Sequence, residues 1–342
     1  MDLVTLGRTG ITVNKNGFGA LPIQRIPKSD AVALVHRALD GGITFFDTAR
    51  VYSDSEEKLG EALCGLRDRV YIATKTPAVT AEAFWKDLHE SLRQLRTDHV
   101  DLFQFHNPAF CPEPEDGSGL YEAMLQARRE GKIRYIGITN HRMAVARTAV
   151  ASGLYDTLQY PFCYLASDDD LQIRCAAEEA GMGFLAMKGL SGGLITNARA
   201  AYAFLRGFQN VLPIWGVQRM WELEQFLACQ EDPPEMDDEM RGVIEKDRAE
   251  LVGNFCRSCG YCMPCPAGIE ILNCARMSQL IRRAPSEGYL SPEWREKMAR
   301  IENCMHCGRC MRRCPYSLPV PELLQKNYED YKALCRAHDE AE

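Results

Sequence analysis

Eight of the fifteen cysteines in this chain fall into two short runs, Cys256-x2-Cys259-x2-Cys262-x2-Cys265-Pro266 and Cys304-x2-Cys307-x2-Cys310-x3-Cys314-Pro315. Three thiolates spaced by two residues let one tight loop reach three corners of an iron–sulfur cube, and a fourth thiolate arrives from elsewhere. Paired structural zinc sites also use Cys-x2-Cys. Zinc needs only two such pairs per site, however, and accounts for neither the third cysteine of each triplet nor the trailing Cys-Pro. A disulfide framework fits less well than either.

The second run matches the bacterial ferredoxin pattern in full, and in ferredoxins with paired clusters the Cys-Pro cysteine of each run ligates the other cluster. The expected ligand sets are Cys256, Cys259, Cys262 and Cys314 for one [4Fe-4S] cluster, and Cys304, Cys307, Cys310 and Cys265 for the second. One spacing departs from the pattern. Only Met263 and Pro264 separate Cys262 from Cys265, where ferredoxins have three residues, which leaves Cys274 as the alternative eighth ligand. The basic residues Arg309, Arg312 and Arg313 are expected to offset cluster charge rather than to bind phosphate.

A second chemically capable set is Asp47, Tyr52, Lys75 and His106. A phenol with a pKa near ~10 is a poor acid at neutral pH unless a nearby cation favours the phenolate. Lys75 supplies that cation, Asp47 holds Lys75 charged, and His106 orients a carbonyl oxygen. Any one of the four alone reads more readily as an ion pair or a structural hydrogen bond. Their force comes from position, because separate segments must deliver them to one place.

The elements that would do so are legible. From Lys15 to about Cys229 short apolar runs alternate with amphipathic stretches. Strands are predicted at 15–20, 44–48, 70–76, 100–107, 134–140, 157–162, 183–187 and 211–216. Helices are predicted between and after them, at 30–40, 55–66, 81–95, 120–130, 143–151, 169–180, 198–207 and 220–229. Eight such units suit a closed (β/α)8 TIM barrel better than an open doubly wound sheet, whose Gly-x-Gly-x-x-Gly turn is absent. Reactive groups on that fold sit at the C-terminal strand ends, where Asp47, Lys75 and His106 lie, with Tyr52 just beyond. Leu3–Leu6 and Ile11–Val13 flank Gly7-Arg8-Thr9-Gly10, a hairpin signal placed to cap the barrel's bottom. Pro233-Pro234 breaks the pattern, giving expected divisions of 1–230 for the barrel, 231–253 for a linker helix and 254–342 for a small α-helical ferredoxin-like module. Within the module, helices are predicted at 269–283, 292–301 and 321–337.

Asp47-Thr48-Ala49-x-x-Tyr52, the strand-end Lys75 and the strand-end His106 resemble the catalytic tetrad of the aldo-keto reductase family position by position. Leu6-Gly7-Arg8-Thr9-Gly10 with Gly17-Phe18-Gly19 is similar to the family's opening, and the resemblance covers about residues 1–230. More narrowly, Cys259-Gly260-Tyr261-Cys262-Met263-Pro264-Cys265-Pro266 and Cys314-Pro315-Tyr316 resemble the subgroup with a C-terminal 4Fe-4S dicluster domain. The resemblance implies reduction of an aldehyde or ketone, with hydride from NADP(H) or NAD(H) and a proton from Tyr52. It places the nicotinamide carboxamide at Thr139, Asn140 and Gln159, and puts Met187 where many members stack an aromatic ring. Met187-Lys188-Gly189-Leu190-Ser191 leads into a glycine loop whose backbone N–H groups suit a pyrophosphate. Gly216, Gln218, Arg219 and Glu222 complete the cofactor candidates. The Lys-Ser pair that grips a 2′-phosphate is missing. Glu222 near a ribose 2′-OH would favour NAD, whereas Arg219 would suit NADP.

A net charge of −7 gives no basic footprint for nucleic acid. No apolar run approaches the ~18 residues of a membrane span, and no leader pattern opens the sequence. With so many free thiols, a reducing cytoplasm is the expected location. Hydride transfer moves two electrons while a cluster passes one, so the halves exchange electrons only through an intermediary such as a flavin. Three functions are therefore compatible with the sequence. One is a carbonyl reductase with structural or regulatory clusters. Another is an electron relay to a ferredoxin-like redox partner. The last is a redox-sensing binding protein on a barrel scaffold.

Overall fold

The computed structural model describes residues 2–251, 255–283 and 287–340. An antiparallel hairpin, β1 (Leu3–Thr5) and β2 (Thr12–Asn14), precedes β3 (Gly17–Gly19), β4 (Phe45–Asp47), β5 (Tyr71–Thr76), β6 (Val100–His106), β7 (Ile133–Thr139), β8 (Thr157–Pro161), β9 (Gly183–Met187) and β10 (Val211–Gly216). From β3 onward each strand pairs in parallel with the next, and β10 closes on β3. The helices between and after them are α1 (Lys28–Asp40), α2 (Ser55–Ala62), α3 (Ala81–Leu95), α4 (Leu120–Arg129), α5 (Met143–Ser152), α6 (Asp168–Glu179), α7 (Ala198–Arg206) and α8 (Met220–Glu231). The fold is the expected (β/α)8 barrel.

Local chemistry sets the boundaries. The Thr80 hydroxyl accepts the Ala83 N–H at 3.2 Å to start α3, which ends where Arg96 turns left-handed. Ser167 and Asp170 cap α6 reciprocally. Phe84 on α3 then packs edge-on against Phe103, with ring centroids 5.4 Å apart. Because side chains alternate across a strand, Phe103 facing the helices leaves Leu102, Gln104 and His106 facing the barrel interior. The same alternation turns Phe45 and Asp47, Ala73 and Lys75, and Leu185 and Met187 inward.

Apolar members of that interior set fill the lower layer, where Phe45, Leu102, Leu185 and Leu212 join Val4, Leu6, Ile11 and Val13 of the hairpin. The hairpin therefore caps the barrel's bottom. Its Gly7 has φ +50°, and a Cβ there would lie 2.3 Å from the Gly181 carbonyl oxygen, so only glycine fits. The polar members occupy the upper layer, toward the strands' C-terminal ends.

The chain divides into two compact units, Met1–Gly189 with Asn197–Ile244, and Leu190–Thr196 with Glu245–Glu342. Helix α9 (Asp238–Glu250) spans the change from one to the other. The second unit contains α10 (Ile271–Cys274), α11 (Met277–Arg283), α12 (Pro292–Ala299), α13 (Arg309–Arg313) and α14 (Val320–Asp339). Ile269, Met277, Met298, Ile301 and Leu324 form its core. The helix expected over 269–283 is broken in two. Buried Asn327 donates to the Ala275 carbonyl at 3.2 Å and accepts the Ser278 N–H at 2.9 Å, so α14 satisfies the backbone groups exposed at the break. Residue 254, the expected start of the module, lies outside the described residues.

Candidate functional site

Asp47, Tyr52, Lys75 and His106 meet at the C-terminal mouth of the barrel. The Lys75 ammonium, 1% exposed, donates to Asp47 Oδ2 at 2.7 Å and to the Thr48 carbonyl at 2.6 Å. It lies 5.1 Å from the centre of the Tyr52 ring, which meets the His106 ring edge-on at 5.7 Å. Burial pulls the Lys75 ammonium down, opposed by the Asp47 carboxylate. Burial, and then the Asp47 charge, push the Tyr52 phenol well above its ordinary value. This differs from the expectation that Lys75 would draw the phenol down. The ammonium sits over the ring and is already spent on Asp47 and Thr48, so desolvation outweighs its pull. His106 is brought down to about 3, by burial and then by Lys75, and its buried Nδ1 has no partner among the described residues.

Within the first unit, Thr139 and Gln159 lie at neighbouring strand ends. Pairing registers set His106 beside Thr139 and Thr139 beside Gln159. Buried Gln159 Oε1 has no partner among the described residues and is available to a ligand amide. The Thr139 hydroxyl faces the Met187 sulfur at 3.9 Å. Asn140 spends an N–H on the Pro108 carbonyl and its oxygen on the Arg142 N–H, at 2.9 and 2.8 Å. Buried His141 donates its backbone N–H to Asn107 Oδ1 at 3.0 Å. Lys188 and Ser191 both have left-handed backbones, at φ +61° and +49°. Gly189 closes the first unit's segment, while Leu190 and Ser191 belong to the second. Exposed Gly216 ends β10. The Glu222 carboxylate accepts the Gln218 and Arg219 N–H groups at 2.8 and 3.0 Å and pairs with the Arg219 guanidinium at 3.2 Å. Glu222 thus caps α8, and a 2′-phosphate would compete with it for Arg219.

In the second unit, Cys256 and Cys262 are buried in the helical core, and Cys265, Cys304, Cys310 and Cys314 pack against it. Cys262, Cys265, Cys304, Cys307 and Cys310 line one recess with Pro266, Ala267 and Leu324. Burial, and then the Cys256 and Cys259 thiols, push Cys262 up to about 12. Thiolates crowded in this way need compensating positive charge, which bound iron would supply. Matching loops hold the two runs, with left-handed backbones at Ser258 and Gly260 in one and at His306 and Gly308 in the other. The Arg257 guanidinium lies over the Phe255 and Tyr316 rings, at 5.2 and 4.6 Å, tying the first run to the Cys314 turn. Cys274 is fully buried, with its sulfur 4.0 Å from the Lys297 carbonyl, and does not line the recess.

The family model described as the aldo/keto reductase family matches residues 15–228, and the 4Fe-4S dicluster domain matches residues 255–319. This chain belongs to the aldo/keto reductase family. It is 32% identical over 216 residues to an L-galactose dehydrogenase of Arabidopsis thaliana, covering 57% of this chain and 67% of the relative. It is 34% identical over 156 residues to a 6-dehydroglucose reductase of Novosphingobium aromaticivorans, covering 40% and 50%. A crystal structure of an aldo-keto reductase from Pseudomonas aeruginosa superposes with a TM-score of 0.61 at 25% identity, over 67% of this chain and 95% of that one.

Two polar groups of this aldo/keto reductase escaped the sequence reading. Fully buried Gln104 points a side-chain N–H at Asp47 Oδ1 from 3.4 Å, and its own side-chain carbonyl has no partner among the described residues. Its signal was the period-two spacing from His106. The Thr48 carbonyl takes a Lys75 proton, and no side-chain pattern announces a backbone acceptor. The loops beyond β4 and β6 also expose apolar side chains, Val51 at 53% and Phe110 at 43%, as does the first turn of α8 with Trp221 at 56%.

Proposed function

We propose that this aldo/keto reductase is an NAD(P)H-dependent carbonyl reductase carrying two [4Fe-4S] clusters in its C-terminal module. The observation that carries the reading is the convergence of Asp47, Tyr52, Lys75 and His106 on one point at the barrel mouth, with Asp47 and Lys75 buried and Tyr52 and His106 half-buried. A bound nicotinamide supplies the hydride. Tyr52 keeps its proton at neutral pH and donates it to the carbonyl oxygen as charge develops there. His106, uncharged, orients that oxygen by a hydrogen bond, and Asp47 and Gln104 hold Lys75 in place beneath the phenol. The unpartnered Gln159 oxygen suits the carboxamide N–H. Both named relatives act on sugar derivatives, which puts hydroxylated aldehydes and ketones first among substrates. Fifteen cysteines, with no disulfide among the described residues, fit a reducing cytoplasm.

Cys265, rather than Cys274, is the proposed eighth cluster ligand, on the strength of the shared recess. A second reading, electron relay from a ferredoxin-like partner, draws support from exposed Cys307 between Met305 and Met311, which are 60% and 46% exposed. Anaerobically purified protein separates the readings. The reductase reading expects NADPH or NADH oxidation by a panel of sugar-derived carbonyls, and a loss of kcat of about 10²-fold or more in Tyr52→Phe. Full turnover by Tyr52→Phe would remove that residue from the chemistry. Clusters reduced by ferredoxin and reoxidised by substrate would replace the reductase reading with the relay.

A further inference from the structure

Arg276 lies at the break between α10 and α11, only 5% exposed, and no carboxylate of the described residues pairs with it. Its guanidinium is spent on neutral acceptors: Nε on the Leu272 carbonyl at 3.1 Å, Nη1 on the Gly192 carbonyl at 2.7 Å, and Nη2 on Asn273 Oδ1 at 3.3 Å. Among its charged neighbours the Cys256 sulfur acts on it most strongly. A buried cation is costly unless an anion offsets its desolvation. Cys256 is an expected ligand of a cubane whose net charge, with four thiolates, is negative and grows by one on reduction. Gly192, the acceptor for Nη1, belongs to the glycine loop 190–196. It has φ +67°, and a Cβ there would come within 3.1 Å of Nη1 and 3.4 Å of Ser258 Cβ. Arg276, the Cys256–Cys259 turn and the glycine loop are therefore one packed group within the second unit.

We propose that Arg276 is a positioning residue that serves as counter-charge to the cluster on Cys256 and simultaneously fixes the glycine loop, coupling cluster charge to dinucleotide binding. The nucleotide half of this inference rests on the proposed function together with the sequence expectation that the glycine loop takes the pyrophosphate. Pyrophosphate and cluster are both anions drawing on one guanidinium. Binding the first makes adding an electron to the second harder, and by reciprocity reduction weakens nucleotide binding by the same factor.

The test is a redox titration of the holoprotein with dithionite, followed by electron paramagnetic resonance, with and without saturating NADP+ or NAD+. In the wild type, nucleotide should move one cluster to a more negative potential, and dithionite-reduced protein should bind nucleotide about fivefold or more weakly than oxidised protein. Arg276→Gln should shift that cluster negative without nucleotide and abolish the coupling. Arg276→Lys should keep the potential near wild type yet weaken the coupling, because a single ammonium cannot reproduce the fork. Equal nucleotide affinity in the oxidised and reduced wild type would overturn the proposal even if no variant folds. So would an unchanged potential in Arg276→Gln. Failure of either nucleotide to bind at all would instead strike the proposed function, and the potential of Arg276→Gln would then decide the counter-charge role alone.

Discussion

Burial at the barrel mouth brings the His106 imidazole down to about 3 and lifts the Tyr52 phenol, so both side chains are neutral at physiological pH. In the proposed reaction this keeps the proton on Tyr52 and lets His106 act as a hydrogen-bonding group rather than a charge. The same shift has a consequence for stability. An unfolded histidine titrates near ~6.5, above the folded value, so between the two values the unfolded chain binds the extra proton. Stability contributed by neutral His106 is therefore complete above about pH 6.5, and it falls by up to about 1.4 kcal/mol per pH unit toward pH 3. Replacing His106 by Gln removes that component while the carboxylates titrate as before. Urea unfolding at pH 6.5 and pH 4.5 should show a steeper loss for the wild type than for His106→Gln. Parallel losses would mean that the imidazole is protonated in the folded protein.

Asp101 shows what the barrel demands of one element. Fully buried near the start of β6, its carboxylate accepts the Ile72 N–H of β5 at 2.9 Å, Arg67 Nη2 at 2.6 Å and Arg134 Nη1 of β7 at 2.9 Å. It stitches three neighbouring strands at the end of the barrel opposite the mouth. Asp101→Ala strands a buried N–H and two guanidinium groups, and should cost about 3 kcal/mol, read as a lower urea midpoint with an unchanged m-value. Turnover per folded molecule should persist, because nothing at the mouth touches Asp101. The sequence made β6 legible as a strand through its apolar run, and period two placed His106 at its end. It could not reveal Asp101 as a clasp, because Arg67 and Arg134 lie more than thirty residues away on either side. Long-range polar partners explain the other departures too. Asn327 interrupts the helix expected over 269–283 from within α14, and the lift of the Tyr52 phenol depends on where Lys75 spends its protons. Short-range rules carried the eight strands, the hairpin and the cysteine runs, since turn residues, alternation and ligand spacing are written locally.

For the whole molecule, the question is how a two-electron barrel and one-electron clusters share a chain. Two complete cubanes need eight thiolates, and the short Cys262-x2-Cys265 spacing leaves the eighth to be decided between Cys265 and Cys274. The two differ in their surroundings. Cys265 lines the recess with Cys304, Cys307 and Cys310, whereas Cys274, the last residue of α10, is packed at 0% exposure, its thiol pushed up to about 12 by burial. A ligand must present a thiolate to the recess, while a core cysteine need only fill space. Anaerobically purified wild-type protein should therefore carry about eight irons per chain, with matching sulfide. Cys265→Ser should drop toward about four, because one cubane loses a corner and the other keeps all its ligands. Cys274→Ser should retain about eight while lowering the module's thermal midpoint, since it places an unpartnered hydroxyl in the core. The reverse pattern, iron lost in Cys274→Ser and retained in Cys265→Ser, would move the second cluster away from the recess. It would mean that the shortened spacing redirects ligation toward the helix at 271–274.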